Sequence, residues 1–294
     1  MRGWWQDLTD LVLPADCAGC GAPRTVLCPR CRAALRAGAA RRVRPVPEPA
    51  GLPVVHAAAP YAEEVRALIL AHKERGALAL AGALGTALAG AVRAGLHRWE
   101  GAEAAQGCGP VLLVPVPSAP WAVRARGHDP VRRTALAAAG ELRRTGTPAR
   151  VVAVLRQRRA VADQAGLDAR RRMENLSGAL EVTPGGDRLL DAGRVVIVDD
   201  LITTGASLAE AARALREGAG RWVERMNEEG TGMSRVVYGP VCREGRGERR
   251  IGARRERRKR MHGASENAAG NSLAPRLRAA VIAAPRDSFQ INGT

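Results

Sequence analysis

The stretch Val195-Val196-Ile197-Val198-Asp199-Asp200-Leu201-Ile202-Thr203-Thr204-Gly205-Ala206-Ser207 constrains the rest of the chain more than any other. A run of four β-branched residues reads as a buried strand, too short and too branched for a helix. Two acids end the strand, and small hydroxyl residues around a glycine make the turn that follows. Leu208, Ala211, Ala212 and Leu215 then recur at helical spacing, so the turn leads into a helix. Strand, acidic pair, hydroxyl-rich turn and helix start are the parts from which an α/β sheet builds a phosphate site at the carboxyl end of a strand.

Each residue type has a separate physical reason. Gly205 lets the backbone approach an anion and take positive φ without penalty. Thr203, Thr204 and Ser207 can donate hydroxyl hydrogen bonds, while backbone N–H groups at the helix start point the same way. Asp199 and Asp200 cannot bind phosphate themselves. They suit ribose hydroxyls, a magnesium ion or a developing oxocarbenium. Ser207-Leu208-Ala209-Glu210 is also a capping box, so Ser207 has a structural reading beside the functional one.

The stretch closely resembles the phosphoribosyl-pyrophosphate (PRPP) motif of type I phosphoribosyltransferases: four apolar residues, two acids, two variable positions, then Thr-Thr-Gly and a hydroxyl residue. The resemblance implies an α/β fold with a parallel sheet flanked by helices, and PRPP bound with Mg²⁺. It assigns Asp199 and Asp200 to ribose, and Thr203, Thr204, Gly205, Ala206 and Ser207 to the 5′-phosphate.

Near the start, Cys17-x2-Cys20 and Cys28-x2-Cys31 place four thiols within fifteen residues. Two such hooks can close on one tetrahedral zinc, and four sulfur ligands leave no position for water or substrate, so the expected site is structural. Disulfides compete for the same residues, but a reducing compartment disfavours them. A small module without a core of its own would gain most of its folding energy from the metal. Cys108 and Cys242 are isolated and read as ordinary thiols.

Between the cysteines and the strand, Arg41 to Pro53 carries four prolines and reads as a semi-rigid linker. Leu80, Leu84, Leu88 and Val92 sit four apart in an Ala- and Gly-rich run, which reads as a buried helix rather than a membrane span. Val111 to Val116 is a second buried strand, ending in Pro-Val-Pro-Ser ahead of Arg124-x-Arg126-Gly127-His128. The carboxyl ends of parallel strands share one crevice, so this loop is expected to face the Asp199 loop. Next come Arg156-Gln157-Arg158-Arg159 and Arg170-Arg171-Arg172, which alone read as a solvated face. Type I phosphoribosyltransferases carry a mobile loop at this place, which implies that Arg158 and Arg159 cover the pyrophosphate, as guanidinium suits phosphate.

The order of features is more specific than any one of them. A four-Cys module, a Val-Pro-Val-Pro strand end, Arg-Gly, Gln164-x10-Asn175 and the PRPP motif together resemble the ComF family from about Leu11 to Glu217. That family is associated with competence and DNA uptake. The resemblance therefore implies either phosphoribosyl transfer to an unidentified acceptor or a binding role toward single-stranded DNA or competence-machinery proteins. His128-Asp129-Pro130 stands where the family has Phe-Asn-Gln, which puts a ligand role for that loop in doubt.

The expected organisation is a zinc-ribbon-like module over 1–40, a linker over 41–56, a phosphoribosyltransferase-like domain over 57–222 and an atypical, disordered basic tail over 223–294. Formal charge is +17, and Arg243 to Arg260 holds ten Lys or Arg against three Glu. Such a run is low in hydrophobicity and high in charge; a reading-frame change after about Glu217 or a nucleic-acid-binding tail would each account for it. No G-x4-G-K-[ST] occurs, which disfavours a P-loop nucleotidase. Met1 to Pro14 lacks a continuous apolar run and reads as no secretory signal, so a cytoplasmic location is expected.

Overall fold

The computed structural model describes residues 16–36, 38–97, 109–159, 169–190, 192–229 and 277–289, with the side chains at 169, 170, 172 and 222–229 outside that description. The chain runs through α1 (Pro29–Ala34), β1 (Arg41–Val43), β2 (Val54–Pro60), α2 (Glu63–Glu74), α3 (Ala81–His97), β3 (Val111–Pro115), α4 (Pro120–Arg126), α5 (Pro130–Arg144) and β4 (Ala149–Val151). A hairpin of β5 (Leu155–Gln157) and β6 (Leu180–Val182) flanks α6 (Ala169–Leu176). Then follow α7 (Gly186–Leu190), β7 (Arg194–Leu201), α8 (Ala206–Glu229) and β8 (Arg278–Ala284).

Six strands form one sheet in the order β1-β2-β8-β7-β3-β4, parallel except at the edge strand β1. The β-branched run is β7, and Val195 to Val198 are buried as expected. Helices α2, α3 and α5 cover one face, and α8 with the β5–β6 hairpin covers the other. From β3 the chain moves outward to β4, whereas from β7 it moves the opposite way to β8. The crevice between the carboxyl ends of β3 and β7 is therefore the topological switch point, where open α/β sheets bind ligands.

With a single Phe in the chain, packing relies on small residues and close approach. A Cβ on Gly85 of α3 would lie 2.5 Å from the Ala137 Cβ of α5, so these helices meet at backbone distance. Leu80, Leu84, Leu88 and Val92 are each 1% exposed, as their spacing predicts. Leu78–His97 is the one described helical run long and apolar enough to cross a membrane by composition, and half of it is buried within the protein.

Three expectations need correction. The tail over 223–294 is not structureless throughout: Arg278–Ala284 is a buried strand lying between β2 and β7. Averaging the composition from Arg243 onward hid the apolar run Ala279-Ala280-Val281-Ile282-Ala283-Ala284 among the arginines around it. The run Arg243 to Arg260 lies outside the described residues. Second, 41–56 is not a linker. Its start is β1, paired antiparallel with β2, and Arg44 N–H bonds the Ser288 carbonyl at 2.7 Å. Third, the cysteine module is not separate. Cys17, Leu27, Cys28, Cys31 and Leu35 belong to the same buried cluster as α2, α3 and α5.

Candidate functional site

The alternation of a strand explains how the acidic pair is presented. Val195 and Ile197 face the α8 side and Val196 and Val198 the α2 side. Period two then directs Asp199 toward α8 and Asp200 toward α2 at the carboxyl end of β7. Asp199 Oδ1 accepts the Asp200 N–H at 2.8 Å. Asp200 Oδ2 accepts a hydrogen bond from Lys73 Nζ of α2 at 2.9 Å, across 127 residues of sequence. The Asp200 side chain is only 12% exposed and that of Lys73 34%.

Asp199 keeps some exposed surface, yet protein surrounds its carboxyl closely. Burial is the largest influence on it and, with the Asp200 charge, pushes it well above the usual carboxylate range, while Lys73 opposes the rise. Conversely, the Asp200 charge raises Lys73 and outweighs its burial. The pair is thus an acidic centre with one built-in cation.

Beyond the acids, the chain turns through Thr203 and Thr204 to Gly205, whose φ of +79° is the left-handed region that favours glycine. Helix α8 starts at Ala206, whose N–H lies 3.4 Å from the Thr204 hydroxyl. Ser207 sits in the first turn, but the capping box does not form. Glu210 instead accepts from Leu180 N–H at 2.9 Å and from Arg213 at 2.7 Å, tying β6 to α8. The carboxyl is more useful there because Leu180 N–H would otherwise be buried without a partner.

The proline segment closes one side of this loop. A Cβ on Gly205 would meet Pro45 and Pro49 at 3.2 Å and Leu52 at 3.3 Å. Arg216 of α8 donates to the Gly51 carbonyl at 3.0 Å, fixing the strap to the same helix. On the opposite side, the loop after β3 docks on α2. Arg126 grips Glu74 with two hydrogen bonds of 2.9 and 2.8 Å, and His128 Nε2 lies 3.2 Å from the His72 carbonyl. His72 is 3% exposed and burial holds it below the usual imidazole range. The Arg126-Gly127-His128 loop therefore reaches the crevice as a brace for α2.

Arg158 and Arg159 stand elsewhere. Arg159 donates to the Asn175 and Ser177 carbonyls at 2.8 and 2.9 Å, closing the carboxyl end of α6. Arg158 lines a cavity of about 440 Å³ with Arg156, Arg188, Arg213 and Arg221. Seven to fifteen residues of α8 separate Arg213 and Arg221 from Ala206, or roughly 10–23 Å along the axis. Residues 160–168, the middle of the arginine segment, lie outside the described residues. Lys73 was missed as a site residue, although it falls in register with the buried stripe Val65, Leu68, Ile69 and His72. A lysine on an apolar helical stripe is the signal that could have found it.

The four cysteines converge as the spacing predicts. Their sulfur atoms lie within 4.8 Å of one another, with Cys20 and Cys28 at 3.6 Å. Sulfurs about 2.3 Å from a central tetrahedral zinc would be separated by about 3.8 Å, so the set can hold a metal ion and suits structural zinc. Backbone shapes the cradle: Cys28 N–H reaches Cys17 Sγ at 3.3 Å, and Cys31 N–H reaches Cys28 Sγ at 3.4 Å. Burial pushes the Cys17 thiol up, but N–H groups from Cys28, Cys20 and Gly19 outweigh it and bring it to about 6. Burial and the neighbouring thiols push Cys31 upward. A Cβ on Gly19 would lie 2.7 Å from Cys31 Sγ, so only glycine lets the knuckle close. Such a metal would supply folding energy rather than chemistry.

Compared with known proteins, the chain matches no family model and no curated sequence.

Proposed function

We propose that this is a phosphoribosyltransferase-like protein of the ComF type that binds PRPP, as its magnesium complex, at the carboxyl end of β7. The observation that carries the reading is the acidic pair Asp199–Asp200 at the switch point, followed directly by the left-handed Gly205 turn and the start of α8. In this reading the acids accept the ribose hydroxyls, and Thr203 to Ser207 hold the 5′-phosphate through N–H and hydroxyl donors. A nucleophile attacks the anomeric carbon as its bond to pyrophosphate breaks. Pyrophosphate leaves with the bonding pair, and the nucleophile's proton passes to solvent. Fixed carboxylates favour the positive charge that develops on the sugar.

Calorimetry with PRPP and Mg²⁺ tests this on the full chain and on Asp199→Asn with Asp200→Asn. The expected result is saturable binding by the parent and at least about tenfold weaker binding by the double variant. No binding by either protein refutes the reading.

A second reading, polyanion binding without catalysis, is favoured by the α8 cavity, where five arginines outnumber the carboxylates Glu181, Asp187 and Glu217. Single-stranded DNA binding that weakens steeply with salt, and is relieved by Arg158→Ala with Arg221→Ala, would support it. Salt-independent behaviour would remove it.

A further inference from the structure

We propose that Lys73 is the positioning residue of the acidic pair, anchoring the Asp200 side chain at the carboxyl end of β7 so that both acids can accept ligand hydroxyls. The proposal rests on the phosphoribosyl reading of the site.

The geometry separates Lys73 from an ordinary structural ion pair. Helix α2 is held without it. At its first turn Glu64 pairs with Arg30 of the cysteine module at 2.7 Å, and Leu68 packs at 0% exposure beneath Gly19 and Cys31. At its last turn Glu74 is gripped by Arg126, His128 reaches the His72 carbonyl, and the His72 ring lies 3.3 Å from the Ala77 carbonyl and 3.4 Å from the Thr134 hydroxyl. These contacts bracket one side chain, Lys73, and aim its ammonium into the crevice.

The chemistry says why a cation belongs there. Two adjacent carboxylates taken out of water oppose each other's ionisation, and a protonated carboxyl loses acceptor capacity toward a diol. The charged and titratable groups around the pair are Lys73 and Glu74 from α2 and Arg126 from α4, with His72 and His128 one layer behind. Arg126 is engaged by Glu74. Lys73 is therefore the one cation bonded to the pair among the described residues. Lys73 opposes the rise that burial and the Asp200 charge impose on Asp199, so removing the ammonium leaves that rise unopposed.

The test is PRPP binding between about pH 5 and about pH 9 on the parent, Lys73→Met and Lys73→Arg, with Mg²⁺ present throughout. In Lys73→Met the acid limb of binding moves to higher pH, affinity near neutrality falls at least about tenfold, and binding recovers at high pH. Lys73→Arg restores the parent profile. A Lys73→Met profile that is uniformly weaker, or unchanged, overturns the proposal, because a structural role would not move the limb. Lys73→Gln serves the same purpose if the methionine variant does not fold. Carboxyl ¹³C titration of ligand-free protein gives an independent readout. Aspartate signals that titrate higher in Lys73→Met support the positioning role, and unmoved signals refute it. If the parent binds no PRPP at any pH, the phosphoribosyl reading fails while this titration still decides the role of Lys73.

Discussion

Replacing Gly205 by alanine probes the loop and its strap together. At φ +79° an L-residue pays about 1–2 kcal/mol for left-handed backbone. The new methyl would also lie 3.2 to 3.3 Å from Pro45, Pro49 and Leu52, so the strap must yield by a few tenths of an ångström. Overpacking of this kind costs about 1–3 kcal/mol, with the low end expected for a surface strap. Gly205→Ala is therefore expected to lose about 2–4 kcal/mol, read as a fall of roughly 5–15 °C in Tm. A double-mutant cycle with Leu52→Ala separates the two parts. Shortening Leu52 makes room for the methyl, so the crowding cost should shrink while the backbone cost persists, giving a coupling of about 1 kcal/mol. Urea unfolding of the four proteins measures it. A Gly205→Ala penalty below about 0.5 kcal/mol would refute both the left-handed turn and the seated strap.

Three further outcomes can be checked. Metal analysis of purified protein should give about one zinc per chain, and chelation should lower Tm by many degrees, because Cys31 and Leu35 share a core with α2; a metal-free chain of unchanged Tm would refute the cluster's role. Val281→Asp places a carboxylate at a 0% exposed position between β2 and β7, with an expected cost of several kcal/mol and largely insoluble expression, whereas Val281→Ala should cost about 1–3 kcal/mol in urea. Burial would raise Glu210, but hydrogen bonds from Arg213 and Leu180 hold it below the usual glutamate range. Its stabilising contribution is full above that ordinary range and is lost as pH falls through the folded value. Glu210→Gln should thus cost about 1–2 kcal/mol near neutrality and flatten the acid limb of the stability profile.

What was legible in the sequence had short range. Val195 to Val198 announce a buried strand, Leu80 to Val92 a buried helix and the two Cys-x2-Cys hooks a sulfur cluster, because each depends on residues within a turn or two. The acidic pair and the Gly205 turn were equally plain. The identity of their neighbours was not. Lys73 lies 127 residues from Asp200, and Pro45 lies 160 from Gly205, so only the order of strands brings them together. Two readings failed by averaging: a proline count made a strap look like a linker, and an arginine-rich tail concealed Ala279 to Ala284. The Ser207 capping box failed for a different reason. Leu180, from a distant hairpin, offered Glu210 a buried N–H that needed its carboxyl more.

The contact from Lys73 to Asp200 depends on one short helix. Alone, a twelve-residue helix is marginal in water, so α2 takes its position from what grips it. Its first half is held by the cysteine module through Leu68 and Glu64, and its second half by the loop after β3 through Glu74 and His72. The metal cradle and the β3 loop, 85 residues apart in sequence from Cys31 to Val116, therefore act on the same object. That object delivers a single ammonium to Asp200. Placing the cation on a braced helix, rather than on the Thr203–Gly205 turn itself, keeps its distance to the acids fixed. A module that lies beside the crevice without lining it can still set the charge of the crevice, provided that its contacts to α2 are rigid. The buried packing of Cys31, Leu35 and Leu68 in one cluster supplies that rigidity.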